Sequence, residues 1–290
     1  MRPDLPLPPP TIARRRKSAD AFLDRPHGRG GGPWPARMLP APARAAIVAL
    51  DRLHRLLDDI ADADLPSAER LDLLSSVEDD LATLASGGKV DSGLARIAGP
   101  LIALGPPVAE LEAMVAARRM GLDGRLRGPP MADLRLHLRR RNTAPLFLIL
   151  HALDLDWPAL DRAALSLGEA LGLTETLADL VHDAEHGRLL LPRDALATAG
   201  IATIAPWSTL RHPRIGTACR AVARIAGERF ADADERLTGS IRQAWPLRFL
   251  ARSQRILLQR LARRGWHDIA HRPQLGPLET ALLMIRARYR

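Results

Sequence analysis

Residues 40–63 read PAPARAAIVALDRLHRLLDDIADA. Ile47, Leu50, Leu53, Leu57 and Ile60 recur there at spacings of three and four, the period of one helix face. Pro42 stands near the start, where its missing N–H leaves no intrahelical bond unmade. Leu65-Pro66-Ser67 breaks the helix. Close to its end lie Asp58, Asp59 and Asp62. Asp58 and Asp62 are four apart and share a face. Like charges at that spacing cost an isolated helix about 0.2–0.5 kcal/mol, and acids near a C-terminus oppose the helix dipole. Acids kept there at a cost point to use by the protein; the plain alternative is a solvated acidic helix end.

Outward from this helix the pattern stays helical. Ser67 to Ala85 forms the next helix, with Glu69 in its first turn, and Gly87-Gly88 ends it. Further helices are expected over 92–103, 107–121, 131–153, 158–186, 213–237, 243–264 and 275–288, with Pro and Gly at nearly every junction. No run of alternating β-branched residues interrupts them. The expected fold class is all-α, one domain over residues 37–290 with short loops between neighbouring helices. Residues 1–36, rich in Pro, Arg and Gly, carry no periodicity and read as a disordered lead-in.

Composition narrows the function classes. Hydrophobic residues make up 47% but aromatics only 3%, so the core must be built from Leu, Ala, Ile and Val. Tyr289 is the only Tyr. Cys219 is the only Cys, which excludes an intrachain disulfide and a thiolate metal site. The N-terminal Arg cluster is followed by no apolar stretch, so no secretory signal is expected. The most apolar segment, 144–153, is too short to span a bilayer. These features predict a cytoplasmic protein, soluble or peripheral to the inner membrane.

The net charge is +9, and residues 242–290 carry all of it, with eleven Arg against Asp268 and Glu279. Such a segment reads as a solvated basic face or as a patch that rests on anionic lipid. No recognised nucleic-acid motif or aromatic stacking platform accompanies it, so nucleic acid is not the expected partner.

A second acidic signal lies inside the long apolar helix 158–186. Asp179 and Asp183 are again four apart, followed by Glu185-His186-Gly187-Arg188. Alone it too reads as a solvated face. Two such patches on separate helices can face each other across a bundle cavity. Carboxylate oxygens suit Mg²⁺, which typically joins one or two carboxylates to substrate phosphates.

The residues around both patches resemble the squalene/phytoene synthase family. ALDRLHRLLDDIADADLPSAERLDLL (49–74) is similar to the segment in which Arg55 precedes the first aspartate motif by three positions. LGEALGLTETLADLVHDAEHGRLLLPRDALATAGI (167–201) resembles the second motif, running through paired aspartates to Gly-Arg and Leu-Pro. RILLQRLARRGWHDIAHRPQLGPLETALLMIRA (255–287) is similar to the closing helices, and PWPARMLPAPARAAIVAL (33–50) to the bacterial branch making hydroxysqualene and squalene for hopanoids. The resemblance implies an isoprenoid synthase-type helical bundle around a central cavity. It implies a head-to-head prenyl transferase acting on farnesyl, geranylgeranyl or presqualene diphosphate. By carry-over, Asp58, Asp59, Asp62, Asp179 and Asp183 hold Mg²⁺, with Asp58, Asp62, Asp179 and Asp183 catalytic, and Arg55 and Arg188 contact diphosphate. NADPH use has no readable signature.

The chain departs from the family pattern in its aromatics. Asp51 and Leu53 stand where Tyr and Phe are usual, Leu190 replaces the aromatic after Gly-Arg, and the usually Tyr-rich centre reads RRRNTAPLFLIL (139–150). Gly172, Glu175 and Ala178 replace the usual Gln, Asn and Arg. Aromatic faces stabilise cations, so their loss suggests an alternative, a catalytically degenerate member acting in binding or assembly, like the family's mitochondrial complex I assembly factor. His54, His182 and His186 flank the motifs as rim histidines or ligands. Glu175, one turn before Asp179, extends the metal face or is solvated. Trp157, Trp207, Trp245 and Trp266 are expected to anchor the core or an interface.

Overall fold

Leu53, Leu57 and Ile60, the stripe that defines the first helix, are wholly buried on α1 (Ala41–Ala61). The computed structural model describes residues 22, 38–155, 158–237, 242–266 and 272–289. The helices α2 (Ser67–Ala85), α3 (Leu94–Ile102) and α4 (Val108–Leu122) follow α1. Next come α5 (Met131–Leu138), a π-helical turn (Arg139–Thr143) and α6 (Ala144–Ala152). α7 (Pro158–Ala178) and α8 (Leu180–Glu185) carry the second motif. α9 (Arg193–Thr198), α10 (Pro206–Leu210), α11 (Ile215–Leu237), α12 (Trp245–Arg263) and α13 (Pro277–Tyr289) complete the order, with a 3₁₀ turn at Arg242–Ala244. Among the described residues there is no strand beyond an isolated bridge between Arg127 and Leu189.

One hydrophobic core joins these helices, and Leu and Ala dominate it as the composition required. α1 packs on α3, α4 and α6, while α7 packs along α11 and against the π turn. The contact of α7 with the π turn is unusually close. A Cβ added at Gly168 would lie 2.1 Å from Thr143 Oγ1, and one at Gly172 would lie 2.6 Å from Leu138 and 2.7 Å from Asn142 Oδ1. The glycine that departs from the family pattern at 172 therefore makes room for the Arg-rich central segment.

The structure adjusts four expectations. The helix expected over 131–153 is interrupted by the π turn, whose wider coil lets one extra residue into the ladder. The helix expected over 158–186 breaks at Asp179, where φ −111° and ψ 19° leave the helical well. Two short helices, α9 and α10, lie between 187 and 213, a stretch outside the expected helices. Trp245 and Trp266 are buried anchors, but Trp207 is 42% exposed, with the Arg211 guanidinium over its ring. Trp157 lies outside the described residues, as does the lead-in 1–36 except Phe22, which is buried in the core.

Candidate functional site

α1, α4, the π turn, α7 and α8 meet around a cleft of about 630 Å³, counting its open mouth. Asp58 and Asp62 enter it from α1, one helical turn apart. Arg118 comes from α4, and Arg141 and Asn142 from the π turn. Glu175, Asp179, His182, Asp183 and Arg188 come from α7, α8 and the turn after it. Four of the five expected metal ligands thus converge. Asp59 does not line this cleft, because adjacent helical residues point about 100° apart. Arg55 does not line it either and instead pairs with Asp51 one turn back.

Asp58, expected as a metal ligand, is held by guanidinium groups. Arg118 donates from Nε at 3.1 Å and lies with Nη2 at 3.0 Å from Oδ1, and Arg141 donates to the same oxygen at 2.7 Å. Arg141 Nη2 and His54 Nε2 each lie 3.4 Å from Oδ2. Burial opposes the charge on Asp58, but Arg118 and then Arg141 outweigh it and hold the carboxyl well below the usual range. Burial and the Arg118 charge push His54 down to about 3, so it is neutral. Arg118 is 1% exposed, and burial brings it to about 10, still charged near neutrality.

The second motif is differently poised. Arg188 bridges the two motifs, donating to Asp62 at 2.6 Å and to Asp183 at 3.0 Å. Asp62 sits near 2, since the His182 hydrogen bond and Arg188 overcome its burial. Asp183 is raised by burial despite Arg188. Asp179 is pushed up to about 6 by burial, against the pull of Arg272 at 3.1 Å and with Glu175 and Asp183 adding repulsion. Glu175 accepts from Asn142 Nδ2 at 2.8 Å.

Beside this cleft a second cavity of about 760 Å³, again counting its open mouth, is walled by Ile47, Leu50, Leu146, Ile149, Leu171 and Leu250. Arg141, Asn142 and Glu175 line both. Neither wall includes Phe, Tyr or Trp among the described residues. Three buried polar atoms lining the first cleft lack a partner among the described residues: His137 Nδ1, Asn142 Oδ1 and Thr176 Oγ1. Buried polar atoms without partners are rare in folded proteins and suit a polar ligand or water.

The squalene/phytoene synthase family model matches residues 33–279. The chain belongs to the squalene/phytoene synthase family. It is 32% identical over 233 residues to the presqualene diphosphate synthase of Rhodopseudomonas palustris, covering 79% of this chain and 82% of that one. Its fold is similar to that of a dehydrosqualene synthase solved with a ligand, with TM-score 0.73, 17% identity and 96% of each chain covered. It also resembles squalene synthase HpnC from Alicyclobacillus acidocaldarius, with TM-score 0.71, 16% identity, and 90% of this chain and 97% of that one covered. Within this family member, Arg118, Arg141 and Arg272 are site residues that the motif reading missed. Arg118 had a visible signal: it falls on the apolar face of α4, in register with Leu111, Met114 and Val115. Arg272 had none, since it is far from Asp179 in sequence and pairs with it only in the folded chain.

Asp62, Asp179 and Asp183 fit Mg²⁺. They are oxygen donors at one cleft, each also facing an Arg that can turn toward an incoming phosphate. Asp58 fits less well, because two guanidinium groups and His54 already crowd both its oxygens.

Proposed function

We propose that this chain binds a prenyl diphosphate and transfers its prenyl group head to head, in squalene- or phytoene-type biosynthesis. The observation that carries the reading is the junction of the two cavities. A polar cleft of paired aspartates and arginines opens beside an apolar one, with Arg141, Asn142 and Glu175 at the boundary. A diphosphate head in the first places its isoprenoid tail against Ile47, Leu50, Leu146 and Ile149 in the second. Arg118, Arg141 and Arg188 supply paired donors that match phosphate oxygens. His137 and Thr176 offer further hydrogen bonds from buried positions. Asp62, Asp179 and Asp183 hold Mg²⁺, which when bound shields the diphosphate charge and makes it a better leaving group. The apolar wall keeps water from the carbon that loses it. The named relative and the apolar cavity together support a farnesyl-type substrate.

The test is incubation of the purified chain with farnesyl, geranylgeranyl and presqualene diphosphate, each with Mg²⁺ or with chelator, followed by analysis of extracted lipids. A Mg²⁺-dependent hydrocarbon or cyclopropyl product is expected. Diphosphate binding without any product would replace this reading with a second one, a binding or assembly role. The arginine grip on Asp58 and the absence of aromatics from the described cavity walls favour that second reading.

The same proposal includes peripheral contact with anionic membrane. Leu278, Leu282, Ile285 and Tyr289 are 75%, 51%, 57% and 68% exposed and share one face of α13, with Arg286 and Arg288 on the same helix. No helix among the described residues is long and apolar enough to cross a bilayer.

A further inference from the structure

At the rim of the cleft, Asp62, His182 and His186 each offer a ligand atom within 4.8 Å of the others. We propose that these three side chains form a site for a borderline transition-metal ion of the Zn²⁺ class, separate in chemistry from the all-carboxylate Mg²⁺ set. His182 and His186 are four apart at the end of α8, so both imidazoles project from one side of it. Their ring centroids are 4.5 Å apart. His182 Nε2 lies 3.2 Å from Asp62 Oδ2. Two ligands on a tetrahedral ion at bonds of about 2.0 Å are separated by about 3.3 Å, so this edge already has the required length.

The surrounding bonds prepare the ligands. His186 Nδ1 donates to the His182 carbonyl oxygen at 2.8 Å. A metal-binding imidazole usually donates its other N–H to such an acceptor, which fixes the tautomer and leaves Nε2 with its lone pair. Arg188 holds Asp62 by Oδ1 and so leaves Oδ2 turned to the histidines. His182 is 51% exposed, which gives an ion in solution a path to the site. Imidazole with one carboxylate suits Zn²⁺, Co²⁺ or Ni²⁺, whereas Mg²⁺ prefers oxygen alone. Three protein ligands leave a fourth position for water or a phosphate oxygen. Occupancy would also tie Asp62 to α8, away from diphosphate-bound Mg²⁺; that regulatory consequence rests on the proposed function, but the site itself does not.

The experiment titrates the substrate-free full chain with Zn²⁺ against a chromophoric chelator, in excess Mg²⁺. One Zn²⁺ per chain is expected, and Co²⁺ should give the visible absorption of a four-coordinate site. His182→Gln and His186→Gln should each weaken binding at least about ten-fold, while His212→Gln, outside the three-residue group, should not. Circular dichroism of each variant checks that the fold is kept. Absence of Zn²⁺ binding, or equal affinity in the wild type and both rim variants, would overturn the site. Turnover that fails while Zn²⁺ binding persists would count only against the prenyl-transfer reading.

Discussion

The metal-ligand role expected of Asp58 from the sequence pulls against the ion pairs it makes in the fold. As a metal ligand it would need free oxygens, yet it is the counter-charge for Arg118, which is 1% exposed. Breaking such a pair strands a buried cation. Asp58→Asn should therefore lower unfolding free energy by on the order of 3 kcal/mol in denaturant melts. Glu185→Gln, on the exposed side of α8, should change it by less than about 0.5 kcal/mol. Equal midpoints for the two variants would mean the grip on Asp58 carries little weight. Asp179 behaves oppositely. Its carboxyl stands near 6 in the folded chain against an ordinary 3.8, so the folded state binds the proton more tightly between those values. Its charge therefore destabilises the metal-free fold above about pH 6, and that burden lifts as pH falls toward 4. Asp179→Asn should stabilise the protein at pH 8 in chelator and give no such gain at pH 4. Melts showing the larger gain at pH 4 would reverse the sign and refute the account.

At the level of elements, the contact between α7 and the π turn decides where Arg141 and Asn142 point. The turn adds a residue to the helical ladder, and Gly168 and Gly172 let α7 close on it. Gly168→Ala would drive a methyl to 2.8 Å from the Thr143 Cα, so α7 must move. A loss of about 1–3 kcal/mol is expected. Gly227 in α11 has nothing within 4 Å of its added Cβ, so Gly227→Ala should gain up to about 1 kcal/mol from helix propensity alone. Thermal melts of the pair compare crowding with propensity; a neutral Gly168→Ala would show that the two segments are not closely packed. The break at Asp179 is a smaller matter. Its amide still bonds Glu175 O and its carbonyl still accepts from Asp183 N, so the two aspartates keep helical spacing.

Across the whole molecule, charge and exposure coincide. Among the described residues, the four most exposed large hydrophobic side chains all lie on α13, within the segment that carries the chain's net charge of +9. An apolar stripe beside arginines suits the surface of an anionic bilayer, where each cation near the surface contributes about 1 kcal/mol. Flotation with anionic vesicles should recover the chain at low salt and lose it at high salt. Leu282→Glu or Ile285→Glu should abolish recovery. Capture that ignores both lipid charge and these substitutions would dismiss the membrane face.

Much of this was legible in the residues. The α1 stripe, the Pro and Gly junctions and the lack of alternation gave an all-α chain, because short-range periodicity reports which face is buried. The two Asp-x-x-x-Asp pairs marked the ends of the cleft. The pairing of charges across it was not legible. Arg118, Arg141 and Arg272 come from three separate stretches, and no local pattern says which acid each will meet. Arg55, three positions before Asp58, was expected by resemblance at the diphosphate, yet it turns back to pair with Asp51. The sequence by itself determined the helices, their apolar faces and the acidic positions, since these follow from spacing along one chain. Only the tertiary structure decided that Asp58 is bound to arginine and that Asp62 meets two histidines. Electrostatic partnership depends on distance in space, and packing sets that distance.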